Sequence, residues 1–209
     1  MRMGENARVT ERPSFLGDAP ENEDTARLFD ADREEDGYVA NHTRLWSWRP
    51  DLRARFADLR SDLMASSSLT DRDWAVLVTS TAAQLTDSYC SLAWGERLAK
   101  LAGDQTAAQV ITGADPAGLS AKEAALAAWA RQVVRNPNGT TEADVDRLRD
   151  IGLDDREIFE ATTFIAFRLA FATVNDALGA IPDKQLAEAV PDEVRAAVSY
   201  GRSPAATPS

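Results

Sequence analysis

One thiol is the most reactive group that this chain offers. Cys90 is the only cysteine, and it follows Asp87, Ser88 and Tyr89 where the pattern indicates the start of a helix. If Asp87 caps that helix, Cys90 is its third residue, where unpaired amide donors and the helix dipole favour a thiolate. The carboxylate of Asp87 opposes this by like-charge repulsion. The sequence therefore leaves two roles open for Cys90, a reactive thiol and a core residue.

The residues around Cys90 limit its chemistry. A lone cysteine has no resolving partner, so a sulfenic acid formed on it would have to be reduced by an external thiol. Trp94 lies one turn later on the same helix face, and its side chain offers only an N–H donor. We predict Cys90 and Asp87 as catalytic residues and Trp94 as a substrate-binding residue.

Arg168 is a second candidate because it interrupts the apolar run 164–171. A buried charge is costly unless it is paired, so Arg168 needs a carboxylate. That partner is either Asp87 or Glu160, which would make a structural salt bridge, or an acidic ligand. Asn175 follows seven residues later, on the same helix face. We predict Arg168 and Asn175 as substrate-binding residues.

His42 is the only histidine, so no cluster of histidines can hold a metal ion. No local spacing ties His42 to Cys90, and we interpret it as a surface or packing residue. We expect neither a metal nor a cofactor.

The elements that position these residues are predicted to be helices. Apolar residues recur every three or four positions after Pro50, and helix-capping patterns begin further helices at Thr70, Ser120, Thr141 and Asp154. The helix after Asp154 is apolar around most of its girth, which predicts burial on several sides. Alternating β-branched segments are missing. The sequence thus predicts an all-α bundle of about eight to ten helices.

Three regions are expected along the chain. Residues 1–23 have no apolar period and are predicted to form a flexible N-terminal arm. Residues 24–200 form a single helical domain, and residues 201–209 a disordered tail.

Charge and composition exclude several classes of partner. The formal charge is −11, which repels phosphate backbones, so we expect no nucleic acid partner. No apolar run is long enough to span a bilayer, and no leader peptide begins the chain. We therefore expect no membrane partner and a cytoplasmic location.

Five segments between Leu69 and Gly179 carry a recognisable pattern, namely Leu69–Arg72, Tyr89–Cys90, Thr141–Leu148, Asp155–Ile158 and Asn175–Gly179. Together they resemble the carboxymuconolactone decarboxylase and alkylhydroperoxidase D-like family. The resemblance implies an all-helical fold, assembly as a homo-oligomer (a trimer or hexamer), and peroxidase activity.

The motif of the peroxidase members is degenerate in this chain. Those members use Cys-x-x-Cys-x-x-x-His, preceded by a glutamate that relays protons. Aligned on Cys90 as the second cysteine, the first cysteine becomes Asp87, the histidine becomes Trp94, and the glutamate position falls on Ala75. The resemblance thus implies a divergent member.

Three functions follow as hypotheses. The first is an alkylhydroperoxidase-like protein in which Cys90 attacks a peroxide, which predicts a lowered thiol pKa. The second is a non-redox, lactone-decarboxylase-like enzyme in which Arg168 holds a small organic acid and Asp87 transfers protons. The third is a non-catalytic, ligand-binding oligomer, which predicts that Arg168 is fully paired and that no cavity reaches the thiol.

Overall fold

The computed structural model describes residues 12–114 and 117–205. These residues form eleven α-helices and one 3-10 turn, and no strand. The fold is therefore all-α, as predicted, with slightly more helices than expected because two six-residue helices follow the long one. The helices are α1 (Glu23–Asp36), α2 (Asn41–Trp46), α3 (Pro50–Ala65), α4 (Asp71–Leu85), α5 (Ser88–Ala102), α6 (Asp104–Thr112), α7 (Ala121–Arg135), α8 (Glu142–Asp150), α9 (Asp155–Ala177), α10 (Lys184–Ala189) and α11 (Asp192–Ala197).

Side-chain caps fix where the main helices begin. Four helices begin with the same reciprocal pair of hydrogen bonds. The side chain of the cap residue accepts from the amide of the third helical residue, and the carboxylate of that third residue accepts from the amide of the cap. The cap residues are Thr70, Ser120, Thr141 and Asp154. Each such reciprocal box satisfies two backbone donors that the helix cannot pair. The capping patterns in the sequence are thus confirmed.

The core is centred on α4, which packs against α5, α7 and α9. The run from Trp74 to Val78 is at most 1% exposed. The Trp74 ring lies 4.6 Å from the Phe164 ring of α9, measured between centroids. This contact packs α9 against α4. The rotation of α9 about its own axis is thereby set, and with it the side chains of α9 that lie near α5.

Two helices are more exposed than the sequence pattern predicts. The expectation that α9 is buried on several sides is wrong for one face, where Phe159 is 70% exposed. On α3, Leu52 and Leu59 are 42% and 49% exposed, while Phe56 and Leu63 are partly buried. An apolar stripe on a helix therefore does not by itself show that the whole stripe is buried within one chain.

The two terminal regions contact the domain where they are described. In the expected arm, Phe15 donates its amide to the Leu178 carbonyl at 2.9 Å. In the expected tail, the Ser88 hydroxyl donates to the Arg202 carbonyl at 2.7 Å. Residues 1–11 of the arm and 206–209 of the tail lie outside the described residues. Among the described helices, none has the length and apolar character needed to cross a membrane.

Candidate active site

A cavity of about 120 Å³ lies between α2, α3, α5 and α9. Regular helical spacing brings its lining together: positions 53, 56, 57 and 60 of α3 and positions 168, 171 and 175 of α9 each lie on one face. The polar lining is His42, Arg53, Arg60, Cys90, Arg168 and Asn175, and the aromatic lining is Phe56, Tyr89, Trp94 and Phe171.

Four of the five residues predicted from the sequence line this cavity, namely Cys90, Trp94, Arg168 and Asn175. The fifth, Asp87, lies behind Cys90 and is fully buried. Its Oδ1 accepts a hydrogen bond from the Cys90 amide at 3.0 Å, as a helix cap does, and its Oδ2 has no hydrogen-bond partner among residues 12–114 and 117–205. Asp87 therefore holds the backbone of Cys90 and does not face the cavity.

The Cys90 thiol is 5% exposed and accepts a hydrogen bond from Nη2 of Arg168 at 3.1 Å. Burial raises the pKa of the Cys90 thiol well above its ordinary value, and Asp87 adds to this rise, while Arg168 acts in the opposite direction. The lowered pKa that the first hypothesis predicts is thus not found. The physical reason is desolvation, which penalises a thiolate more than the helix start favours it.

Arg168 is 5% exposed, and its guanidinium lies between two aromatic rings, with the central carbon 5.5 Å from the Trp94 centroid and 5.1 Å from that of Phe171. Within the described part of the chain, Arg168 forms no salt bridge with Asp87 or Glu160; the latter accepts from Arg156 at 2.7 Å. No described residue accepts a hydrogen bond from the Arg168 Nε. Of the two partners that the sequence left open, the structural salt bridge is therefore ruled out.

Two further arginines, Arg53 and Arg60, enter the cavity from α3. Burial lowers the pKa of both guanidinium groups, and the nearby charge of Arg168 lowers them further. Sequence reasoning missed them because arginines beside an apolar stripe are usually solvated. Their seven-residue separation around Phe56 was the available signal, since it places all three on one helix face.

His42 also lines the cavity, so the fold brings the only histidine and the only cysteine to one site. Its Nδ1 lies 3.0 Å from the Tyr89 hydroxyl, which in turn donates to Asp183. Because the Tyr89 proton goes to Asp183, the Tyr89 oxygen accepts from His42. The imidazole proton then resides on Nδ1, and Nε2 is left as the basic nitrogen.

Burial is the largest influence on the protonation of His42 and Asp183. Burial, together with Arg53 and Arg168, lowers the pKa of His42 to about 3, so the imidazole is neutral at neutral pH. Burial raises the pKa of Asp183. His42 and Tyr89 also border a neighbouring groove of about 460 Å³ that contains Asp183. His42 packs edge-on against Tyr89 and Phe171, with ring centroids 5.3 and 5.7 Å away, as the packing interpretation predicts. The fold also places it in the lining of the cavity that Cys90 lines, which the sequence did not indicate.

The arrangement supplies a thiol, a guanidinium that bonds it, a neutral imidazole and a hydrogen-bonded route to a second groove. Within residues 12–114 and 117–205, no three side chains of His, Cys, Asp or Glu are grouped so that they could hold a metal ion. The chemistry that these residues can support without a bound group is nucleophilic attack by a sulfur that a guanidinium contacts, with a neutral imidazole in the same cavity.

No protein-family model and no curated protein matches this chain. Solved structures do match. An uncharacterized peroxidase-related protein from Ralstonia eutropha JMP134, described as an alkylhydroperoxidase AhpD core, superimposes with a TM-score of 0.73 and 23% identity over 83% of this chain and 94% of that one. A peroxidase-related protein from Silicibacter sp. TM1040 gives a TM-score of 0.76 and 21% identity over 86% and 97%.

The debrominase Bmp8, in a cysteine-to-alanine variant bound to 2,3,4-tribromopyrrole, gives a TM-score of 0.68 and 14% identity over 83% of this chain and 95% of that one. At these identities the likeness concerns the fold. The resemblance seen in the sequence is thus confirmed at that level: this chain has the alkylhydroperoxidase D-like fold.

Proposed function

We propose that this protein is a one-cysteine, thiol-dependent peroxidase of the alkylhydroperoxidase type. The observation that carries the proposal is the hydrogen bond from Arg168 to the Cys90 sulfur, made in a cavity that His42 also lines. A guanidinium on the sulfur stabilises the thiolate at the moment it forms, although the resting thiol is neutral.

In the first step the Cys90 sulfur attacks the distal oxygen of a hydroperoxide. The S–O bond forms as the O–O bond breaks, and the thiol proton passes to the departing oxygen in the same step, so that it leaves as an alcohol. His42, whose lowered pKa disfavours a free imidazolium, relays that proton. Cys90 is oxidised to a sulfenic acid and the hydroperoxide is reduced by two electrons. Tyr89 and Asp183 hold the His42 tautomer that makes this transfer possible.

An external thiol completes the cycle, since Cys90 is the only cysteine. A first thiol condenses with the sulfenic acid to give a mixed disulfide and water. A second thiol displaces Cys90 as a free thiol and leaves as a disulfide. The cytoplasm, which we propose as the location, keeps such thiols reduced.

The test treats the protein with a peroxide and monitors the oxidation of Cys90 by mass spectrometry. A parallel sample contains a reagent that traps sulfenic acid. We expect one added oxygen in the wild type, its removal by an external thiol, and no modification in Cys90→Ser. Tyr89→Phe, which keeps the ring but breaks the route to Asp183, should slow oxidation more than it weakens substrate binding. A Cys90 that stays reduced under peroxide would overturn the proposal.

A second candidate is a non-redox enzyme acting on a small organic acid. It is favoured by the raised thiol pKa and by the lack of a carboxylate partner for Arg168. This function predicts that Cys90→Ala keeps activity while Arg168→Gln loses it. The non-catalytic hypothesis fits less well, because the cavity reaches the thiol and Arg168 is not fully paired.

A further inference from the structure

We propose that the cavity binds the carboxylate of a small organic acid through Arg53, Arg60 and Arg168, with the apolar body of the acid against the aromatic wall. The substrate class would then be an anionic organic molecule. Whether the bound acid is a substrate rests on the proposed function. The binding of the acid to the arginines does not.

The charge of the cavity is opposite to that of the molecule. Among the residues that the structure describes, three guanidinium groups and no carboxylate line it, although acidic residues outnumber basic ones by 34 to 23 in the chain. Among the described residues, none of the salt bridges includes these three arginines. Like charges gathered in a partly desolvated site favour occupation by an anion.

Hydrogen-bond donors of the same lining lack partners. In the described part of the chain, the Nε atoms of Arg53, Arg60 and Arg168 are buried without an acceptor, as is Nδ2 of Asn175. Arg168 and Asn175 are 5% and 1% exposed. The Asn175 Oδ1 accepts from Trp46 Nε1 at 2.8 Å, which fixes the amide with its donor end free. Buried donors of this kind are normally satisfied, so a ligand with acceptor oxygens is expected.

The acids whose charges act on Arg53 do not neutralise it. Asp32 and Glu35 of α1 raise the pKa of Arg53, against the larger effect of burial. Neither of them lines the cavity. The positive charge of the cavity is thus only weakly offset from within the protein.

Size and shape favour a carboxylic acid over an inorganic anion. The cavity measures about 120 Å³, and Phe56, Trp94 and Phe171 form its apolar wall. A cavity of about 150 Å³ in another protein accommodates benzene. Guanidinium groups pair with planar carboxylates through two parallel hydrogen bonds. A bare phosphate would leave the aromatic wall without contact.

Binding of one carboxylate is compatible with chemistry at Cys90. Three guanidinium charges exceed the single charge of a monocarboxylate, so positive charge remains to stabilise a thiolate. Arg168 bonds the sulfur already. Arg53 and Arg60 are therefore the arginines that would take the carboxylate first.

The test is isothermal titration calorimetry with acetate, isobutyrate and benzoate, each compared with its own amide. The titrations use wild type and Cys90→Ser, which cannot turn over. We expect at least one acid to bind about tenfold or more tightly than its amide in both proteins. Arg53→Gln and Arg60→Gln should each weaken the binding of that acid by about tenfold. Arg53→Lys, which keeps the charge, should weaken the binding less.

Arg55→Gln is the matched control, because Arg55 is exposed on the same helix. The affinity of this variant for the acid should stay within about twofold of the wild-type affinity. Thermal unfolding verifies that each variant is folded. Acids that bind no better than their amides, or equal losses in Arg53→Gln and Arg55→Gln, would overturn this inference. Acid binding without oxidation of Cys90 would instead contradict the proposed function alone.

Discussion

At the scale of single residues, four effects act on the Cys90 thiol. The helix start and Arg168 favour the thiolate, while burial and Asp87 raise the pKa of the thiol. The sequence identified the helix start and the carboxylate, and it could not weigh them because desolvation depends on what covers the sulfur. Arg168, which donates to the sulfur, comes from a helix 78 positions further along the chain.

Asp87→Asn should make Cys90 more reactive. The asparagine oxygen keeps the helix cap, and removal of the negative charge lowers the pKa of the Cys90 thiol. Alkylation by iodoacetamide, followed from about pH 7 to 10, should be severalfold faster in the variant. Asp58→Asn, an exposed change on α3, should leave the rate unchanged. An unaltered rate in Asp87→Asn would show that the carboxylate does not influence the sulfur.

Arg60→Gln should stabilise the ligand-free protein. Burial and the charge of Arg168 lower the pKa of Arg60, so its charged form is disfavoured in the folded state. Removing this charge should raise the free energy of unfolding by up to about 1 kcal/mol, or about 2–4 °C in Tm. Urea and thermal unfolding measure this, with Arg55→Gln expected to be neutral. A loss of stability would mean that Arg60 is paired in solution.

At the scale of elements, the helices were predictable and their mutual placement was not. Caps at Thr70, Ser120, Thr141 and Asp154 set helix starts through local hydrogen bonds, which a sequence displays directly. The cavity instead depends on how α2 and α3 lie against α9. From α2, the Trp46 ring lies parallel to that of Phe171 at 5.2 Å, and from α3 the Phe56 ring stacks on Phe171 at 5.7 Å. No spacing along the chain indicates a contact of this kind.

The segment after α11 should be sensitive to a single methyl group. Gly201 has a φ of +71°, and a Cβ there would lie 2.7–2.9 Å from Ser88 atoms at the start of α5. Gly201→Ala therefore adds a clash to the cost of a left-handed backbone. The matched control Gly37→Ala, with a φ of +81° and free space, should cost only about 1–2 kcal/mol. Denaturant unfolding that gives equal losses in the two variants would contradict the contact with Ser88.

The end of α9 should contribute a pH-dependent part of the stability. Burial, together with Asp87, raises the pKa of Asp176 from 3.8 to about 6. Below pH 3.8 this carboxyl is protonated in the folded and in the unfolded protein. As the pH rises further, the unfolded protein loses this proton first and the folded protein keeps it up to about pH 6. The associated stability is therefore lost as the pH rises through about 6.

Asp176→Asn removes this effect. Urea unfolding should show the wild type losing stability relative to the variant between about pH 4 and 6, with a constant difference above about pH 7. Asp58→Asn, at an exposed position, should show no such trend. A constant difference over the whole range would mean that Asp176 titrates normally.

At the scale of the whole molecule, the charge is divided unevenly. A chain with a formal charge of −11 encloses a cavity lined by three arginines. The net negative charge leads us to expect no nucleic acid partner, while the three arginines of the cavity carry the opposite charge at close range. Net charge, which the sequence displays, thus says nothing about the sign of the field inside the site.

Assembly is also a property at this scale, and we expect the homo-oligomer that the sequence resemblance implies. Leu52 and Leu59 of α3 are exposed although they belong to one apolar stripe, and Phe159 of α9 is 70% exposed. Sedimentation velocity should find a trimer or hexamer in the wild type. Leu59→Glu should shift it toward the monomer if α3 lies in the interface. A wild-type monomer at micromolar concentration would contradict the expectation.

The sequence by itself determined the all-α class, the main helix starts and the candidate residues Cys90, Trp94, Arg168 and Asn175. These depend on local periodicity, on caps, and on one charge in an apolar run. Only the tertiary structure decided that Arg168 bonds the sulfur rather than a carboxylate. It also decided that Arg53, Arg60 and His42 join it in one cavity. The physical reason is that a site built from four helices depends on side-chain packing between distant segments, whereas a cap or a stripe depends on neighbours in the chain.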